Sequence, residues 1–401
     1  MKICGVICEY NPFHNGHKYM LDRARAESGC DYLICIMSGN FTQRGEIAVC
    51  DKFTRAEWAV RGGADAVIEL PAAFAVSPAE LFAKGAVKLM TSLSCFDCLA
   101  FGAESGSAES FISTAKALSE ENRDLKGLVK EKLKQGLSLV RARSEAIAKL
   151  EPQGVDVELL NAPNNILGVE YQKALLAFAS NAKILPVRRV GAGYSDISRH
   201  TDYSSAAGIR AAVQDKKYRF VRKNIPEYVF KDADKFASPA LYKKIAVYSV
   251  LSKSAVDLKK IADCTEGLEN RIQALAKDTS DYDALIEKIT TKRYISSRIR
   301  RIFAASALNI DEDVDFEHHV IHVHHAIHYE SNQPILGDPK TEAGEREIPL
   351  LSILENELRG LHGLLAPACK NGGLMSESAF SSAWNSYLGT CLLYTSDAAD
   401  D

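Results

Sequence analysis

The chain has 401 residues, 46% of them apolar and 25% charged, with a formal net charge of −3. That length suits two or three domains, and that balance is the composition of a folded globular protein. It excludes a disordered chain and one that is basic all over, but not a local nucleic-acid surface, which needs only local charge.

Residues 1 to about 215 alternate strand-like and helix-like text. Strands are predicted at Ile3–Cys8, Tyr32–Met37, Ala66–Leu70, Cys98–Phe101 and Lys183–Val187. Helices are predicted at His17–Ser28, Thr54–Gly62, Ser77–Leu93, near 107–121 and 123–150, and at Asn165–Asn181. Such alternation predicts an α/β domain, a Rossmann-like parallel sheet with helices on both faces. Ligands of such sheets bind at the carboxyl ends of the strands, where His14, Ser38, Gly39, Asn40 and Gly102 fall. Residues 216–309 are expected to be all helical: Tyr218–Pro226, Pro239–Leu251, Leu258–Ala262, Leu268–Ala276, Asp281–Lys288 and Ser297–Leu308. After about Ile310 the text changes again. Val314–Tyr329 carries six of the ten histidines in β-like alternation, an amphipathic helix is predicted from Ser352, and residues 392–401 differ once more.

The ten cysteines are scattered, and Met1-Lys2 leads directly into a strand. Reduced thiols in a cytoplasmic protein without a secretory leader are therefore expected. No apolar run approaches the roughly 18 residues of a membrane span, so no membrane partner is expected.

Two segments carry chemistry. In Phe13-His14-Asn15-Gly16-His17 the glycine admits a phosphate close to the backbone, and His17 opens a helix whose positive end faces it. Two imidazoles there can donate hydrogen bonds to charge developing on an α-phosphate; the plain structural alternative is a pair of histidines capping a helix. In Ser204-Ser205-Ala206-Ala207-Gly208-Ile209-Arg210, hydroxyls at a helix start with an arginine further in can clamp β- and γ-phosphates. A serine N-cap is the alternative there. Together they form an H-x-G-H and S-S-x-x-x-x-R pair.

With that pair the chain resembles the H-x-G-H nucleotidylyltransferase-like superfamily, and within it the bacterial tRNA(Met) cytidine acetate ligases. The resemblance rests on Val6-Ile-Cys-Glu-Tyr-Asn-Pro-Phe-His-Asn-Gly-His17, Met37-Ser-Gly-Asn-Phe-Thr-Gln-Arg-Gly-Glu46 and Asp51-Lys52. It continues through Gly63-Ala-Asp-Ala-Val-Ile-Glu-Leu-Pro71, Phe101-Gly102-Ala-Glu104, Pro163-Asn-Asn-Ile-Leu-Gly-Val-Glu-Tyr171, Arg189-Val-Gly-Ala-Gly-Tyr194 and Lys292-Arg-Tyr294 with Arg298. It covers about 1–309. It implies activation of acetate with ATP to acetyl-adenylate, then transfer of the acetyl group to N4 of the wobble cytidine of elongator tRNA(Met). Carried over by motif, ATP is expected against Ile7, Cys8, Glu9, Tyr10, Asn11, Pro12, Phe13, His14, Asn15, Gly16, His17, Lys18, Tyr19 and Met20, with Gly102, Asn164 and Arg189. His14 and His17 are the expected catalytic pair, and Ser204, Ser205 and Arg210 the phosphate clamp. Ala207 departs from that clamp, where a hydroxyl is usual.

Acetate needs no deprotonation, so the site requires positioning and neutralisation more than a base. Lys52, Arg44 and Arg55 are candidates to neutralise acetate or phosphate. Mg²⁺ is expected to accompany ATP, although no carboxylate cage is visible and no protein metal ligands are assigned. For RNA, Lys292, Arg293, Arg298, Arg300 and Arg301 form one basic stripe, of which Lys292, Arg293, Arg298 and Arg301 are the tRNA candidates. Lys216, Lys217, Arg219, Arg222 and Lys223 form a second stripe. Cys95-Phe-Asp-Cys98 has no second pair and reads as buried thiols; the histidines at 318–328 lack partners at metal-ligand spacing.

Residues about 312–389 resemble a fragment of a tyrosine recombinase catalytic domain, in Val314-Asp-Phe316, Val320-Ile-His-Val323, Pro339-Lys340-Thr341 with Gly344, Arg346 and Ile348-Pro349-Leu350, and Ser378-Ala-Phe380 with Trp384. Lys340 matches that family's hairpin lysine, but its other catalytic basic residues and its tyrosine nucleophile are absent, so no DNA function is expected. Residues 392–401 resemble translated sequencing-adaptor text. The domain expectation is therefore 1–215, 216–309, a chimeric 310–391 and a non-native 392–401, with a truncated ligase joined to foreign sequence. Two other functions remain open: a small-molecule nucleotidylyltransferase sharing the H-x-G-H site, and a non-catalytic nucleic-acid-binding protein.

Overall fold

The computed structural model describes residues 1–119, 123–135, 139–150, 155–189 and 204–310, and five short strands beyond them. Two compact units emerge, Met1–Asp311 and Glu312–Asp401.

The first unit is built on strands β1 (Ile3–Cys8), β2 (Tyr32–Ser38), β3 (Ala66–Leu70), β4 (Phe96–Ala103) and β5 (Lys183–Arg188). All neighbours are parallel, in the order β3-β2-β1-β4-β5. The order reverses between β1 and β4, which is where a crevice opens in a doubly wound sheet. Helices α1 (Asn15–Ser28), α2 (Lys52–Arg61), α3 (Ala72–Ala75), α4 (Ala79–Thr91), α5 (Ala108–Ser119), α6 (Arg123–Lys134), α7 (Leu139–Leu150) and α8 (Pro163–Ala177) fill the crossovers.

The two faces of β1 show how the layers are specified. Cys4 and Val6 point into a core with Leu21 and Ala24 of α1 and Trp58 and Ala59 of α2. On the other face a side chain at Gly5 would lie 2.7 Å from the Met90 sulfur, so the missing Cβ lets α4 close on the sheet. Pro71 and Pro78 set the starts of α3 and α4, where a residue without an N–H is tolerated; the helix predicted from Ser77 is α4, and the short α3 before it was not predicted. The single helix predicted over 123–150 is two.

The chain continues into α9 (Ala206–Gln214), α10 (Tyr218–Asn224) and α11 (Glu227–Phe230). Their Ile209, Ala212, Val221, Ile225 and Val229 join the same core as β1. Helices α12 (Ala240–Ser252), α13 (Ala255–Lys259), α14 (Leu268–Ala276), α15 (Tyr282–Ile289) and α16 (Ser296–Leu308) bury a separate cluster that includes Val250, Ile272, Leu285, Ile299 and Phe303. Among the described residues no helix is long and apolar enough to cross a membrane.

In the second unit, β6 (Val314–Asp315), β7 (Val320–Val323) and β10 (Arg346–Pro349) form an antiparallel sheet in the order β10-β7-β6. Strands β8 (Ala326–Glu330) and β9 (Gln333–Gly337) pair antiparallel. Lys340, the helix expected from Ser352, the Ser378–Trp384 motif, residues 190–203 and 392–401 lie outside the described residues.

Candidate active site

The chain leaves β1 at Cys8 and enters α1 at Asn15, and the turn between them builds one wall of a cavity at the β1/β4 crevice. Tyr10 takes a left-handed backbone, φ 48°, and its ring stands edge-on to Phe13 at 4.8 Å and to His17 at 4.9 Å. Phe13 is fully buried, and Asn11 is pinned by Val49 N–H, which donates to its Oδ1 at 2.7 Å.

His14 and His17 cap the helix for each other. The backbone N–H of His17 donates to His14 Nδ1, and that of His14 to His17 Nδ1, both at 3.3 Å. This is a capping box with histidines where Ser and Glu usually stand. The rings stack with centroids 3.6 Å apart. A side chain at Gly16 would come within 2.9 Å of the His14 ring, so glycine is required for that stack. With both Nδ1 atoms accepting, each neutral imidazole carries its proton on Nε2. Burial holds the rings neutral, assisted by the nearby positive charge of Arg189. The His14 pKa falls from 6.5 to about 3, and that of His17 lies well below its ordinary value, with His14 itself adding to the effect. The structural and functional expectations for this pair are thus the same geometry: Nδ1 fastens the helix and Nε2–H is left as a donor.

Opposite, Gly102 near the end of β4 lies against the Arg189 side chain, and Arg189 N–H donates to Ala103 O at 2.9 Å. Among the described residues no carboxylate pairs with Arg189. Asn164 and Leu167, in the first turns of α8, complete that wall together with Tyr171. The third side comes from α9. Ser205 caps it, its Oγ accepting from Gly208 N–H at 3.1 Å, while the buried Ser204 Oγ has no partner among the described residues. Arg210 donates to Asn11 O at 2.8 Å and lies 3.5 Å from Glu46.

Of the residues expected from sequence, Ile7, Cys8, Glu9, Tyr10, Asn11, His14, Gly16, His17, Tyr19, Met20, Gly102, Asn164, Arg189, Ser204 and Arg210 line this one cavity. Pro12, Phe13, Asn15, Lys18 and Ser205 do not. Phe13 belongs to the core, Asn15 donates to Lys223 O, Lys18 pairs with Asp22 on the surface, and Ser205 is the cap of α9. Phe82 and Arg188, outside the quoted motifs, and Gln43, Phe101, Leu167 and Tyr171, inside them but given no role, also line the cavity.

The cations suggested for acetate part company. Arg55 is fully buried, donating to the carbonyls of Glu9 at 2.5 Å, Ser38 at 3.1 Å and Cys50 at 3.3 Å, and also to that of Gly39. It ties the ends of β1 and β2 together. Lys52 pairs with Glu69 at 2.5 Å. Arg44 lines the cavity.

The tRNA candidates also divide. Lys292 and Arg293 are exposed. Arg301 is buried against Asp263, with Nε and one Nη 2.8 and 2.5 Å from Oδ2. Arg298 donates to Asp263 O, Thr265 Oγ1 and Glu266. Arg300 pairs with Glu46. Among the described residues no group of three or more His, Cys, Asp or Glu could hold a metal ion.

Two neutral Nε2–H donors, a helix N-terminus and two arginines around one crevice suit a polyphosphate. Residues 1–329 match the family described as HIGH Nucleotidyl Transferase, about twenty residues past the 1–309 over which the resemblance was expected. A tRNA(Met) cytidine acetate ligase of Caldanaerobacter subterraneus subsp. tengcongensis is 39% identical over 319 residues, 78% of this chain and 79% of the relative. One from Lysinibacillus sphaericus is 38% identical over 75% of this chain and 77% of its own length. The crystal structure of Thermotoga maritima TmcAL bound with alpha-thio ATP superposes with a TM-score of 0.70 at 35% identity, covering 78% of this chain and 76% of that one. The apo form gives 0.73 at 37% identity, over 78% and 77%. The chain belongs to the HIGH nucleotidyl transferase family and, within it, to the tRNA(Met) cytidine acetate ligases.

Proposed function

We propose that this chain is an ATP-dependent acetate ligase. It joins acetate to the α-phosphate of ATP, releasing pyrophosphate, then passes the acetyl group to N4 of the wobble cytidine of elongator tRNA(Met) and releases AMP. The observation that carries this reading is the reciprocal histidine cap at the crevice, in a chain whose relatives at this identity bear that name and include a structure with an ATP analogue.

In this reading the triphosphate lies between the start of α1 and the start of α9. His14 and His17 donate Nε2–H to the α-phosphate as its negative charge grows in the pentavalent state. Being neutral, they act as fixed dipoles and exchange no proton. Arg189 offsets charge beside them, and Arg210, with the unpartnered hydroxyl of Ser204, takes the distal phosphates. Arg55 acts only by holding the floor. Mg²⁺ accompanies the triphosphate on phosphate oxygens and water, since the described residues offer no cage for it. For tRNA, Lys292 and Arg293 face solvent and reach phosphates, while Arg298 and Arg301 set the position of their loop. The location proposed is the cytoplasm, where this tRNA substrate is found. We place the nucleotide domain at 1–215, the tRNA-binding helices at 216–309, and no DNA function in the recombinase-like 310–391.

Acetate-dependent ATP–pyrophosphate exchange tests the first step, and N4-acetylcytidine on tRNA(Met) the second. Exchange that ignores acetate but responds to a phosphorylated acceptor would identify a small-molecule nucleotidylyltransferase instead. No exchange with any acceptor would leave a nucleic-acid-binding protein.

A further inference from the structure

Two segments sixty residues apart in sequence meet at the cavity rim. Glu104 follows β4, and Asn164 and Asn165 lie in the first turn of α8. The Glu104 carboxylate accepts from Asn164 Nδ2 at 2.5 Å, from Asn164 N–H at 3.4 Å and from Asn165 N–H at 3.1 Å. In return Glu104 N–H donates to Asn165 Oδ1 at 2.9 Å, and Asn165 Nδ2 donates to Ser105 Oγ at 3.0 Å. Helix α8 has no side-chain cap from Ala162 and begins with a proline, so a carboxylate from another element takes its free N–H groups.

This contact settles which way the Asn164 amide faces. An ionised carboxylate only accepts, so the end of Asn164 against Glu104 must be Nδ2. Among the described residues nothing donates to Asn164 Oδ1, and Asn164 lines the cavity. We propose that Glu104 is a positioning residue that turns the Asn164 carboxamide so that its oxygen, not its nitrogen, meets the bound nucleotide. The partner is then a hydrogen-bond donor of ATP, a ribose hydroxyl or the adenine 6-amino group. This inference rests on the cavity being the ATP site, and it adds a source of nucleotide preference to that site: an oriented acceptor rejects an analogue that lacks the donor.

The test is titration calorimetry of the full-length protein with ATP, 2′-deoxy-ATP, 3′-deoxy-ATP and ITP. The wild type is expected to prefer ATP by about tenfold or more over one class of analogue, and the deficient class names the donor. In E104Q the introduced amide lets Asn164 rotate, so ATP binding weakens about tenfold and that preference collapses. The double variant E104Q/N164D restores one donor–acceptor contact with an acceptor still facing the cavity, and it recovers the preference. A helix cap without a positioning role would leave the ratio between nucleotides unchanged in E104Q, which overturns the proposal. Failure of the double variant to recover the preference overturns it too, as does a wild type that does not discriminate among the four. Absence of ATP binding by the wild type would instead remove the proposed function on which this rests.

Discussion

The loop at His14–His17 and the stripe at Lys292–Arg301 offer the same kind of cue in sequence, polar residues at close spacing beside a helix start. The structure uses them in opposite ways. At the first, each histidine commits one nitrogen to the backbone and keeps the other, in the proposed function, for the nucleotide. At the second, Arg298 and Arg301 are absorbed by Asp263, Thr265 and Glu266, Arg293 is exposed but pairs with Glu266 at 3.4 Å, and Lys292 alone has no ion pair among the described residues. A polar side chain signals binding only for the atoms that remain after its internal hydrogen bonds are counted. Arg55 and Arg189 make the same contrast, one buried among carbonyls beneath the site and the other at the cavity wall with no carboxylate partner among the described residues.

Variants can break that comparison. The largest effect is expected at the histidines: H17A should lower acetate-dependent ATP–pyrophosphate exchange by about 10²–10³-fold, the scale of losing one preorganised donor. Exchange equal to wild type would remove the pair from the mechanism. R55M should act on folding first, since it orphans buried carbonyls at the ends of two strands. A loss of about 3 kcal/mol is expected in urea unfolding, and an unshifted midpoint would show that these bonds contribute nothing net. D263N should likewise destabilise, by about 1–3 kcal/mol, because Arg301 is buried against it. The smallest effect belongs to K292A/R293A. Exchange should be unchanged, while tRNA affinity falls a few-fold and its salt dependence flattens, about one counterion per lost contact. Equal tRNA binding would place the RNA surface elsewhere.

The pH dependence sharpens the same point. Because burial pushes His14 to about 3 and His17 well below 6.5, both stay neutral across the working range. The exchange rate should show no inflection near pH 6.5, whereas a histidine acting as an acid or base would produce one. Stability behaves differently. Below pH 6.5 the unfolded histidines bind protons that the folded ones refuse, so stability falls as pH drops from 6.5 toward about 3. H14N/H17N should flatten that fall between pH 7 and pH 5, measured by urea midpoints.

Much of this site was legible in the text of the chain, because its functional residues sit in turns between strands and helices, where the local pattern is distinctive. Strands β1 and β3 begin and end where their apolar runs do. The ends of β4 were not visible: its pairing extends to Phe96 and Ala103, where a neighbouring strand decides and local composition does not. The role of Phe82, Phe101, Leu167 and Tyr171 was not readable, because an apolar side chain has no signature that separates a cavity lining from a core. The depth of Arg55 was hidden for the matching reason that charge in sequence carries no information about burial. Glu104 and Asn164 were both inside quoted motifs, yet their meeting depends on a crossover of sixty residues.

The shared cap of His14 and His17 also limits how this loop can change over time. Proteins commonly gain robustness by accumulating stabilising substitutions away from their reactive groups. Here one pair of atoms starts a helix and fixes the tautomers at the place proposed for the reacting phosphate. A replacement that loosened the helix would turn the donors, and one that altered the donors would fray the helix. Drift at these two positions is therefore penalised twice, and selection for a folded protein guards its chemistry.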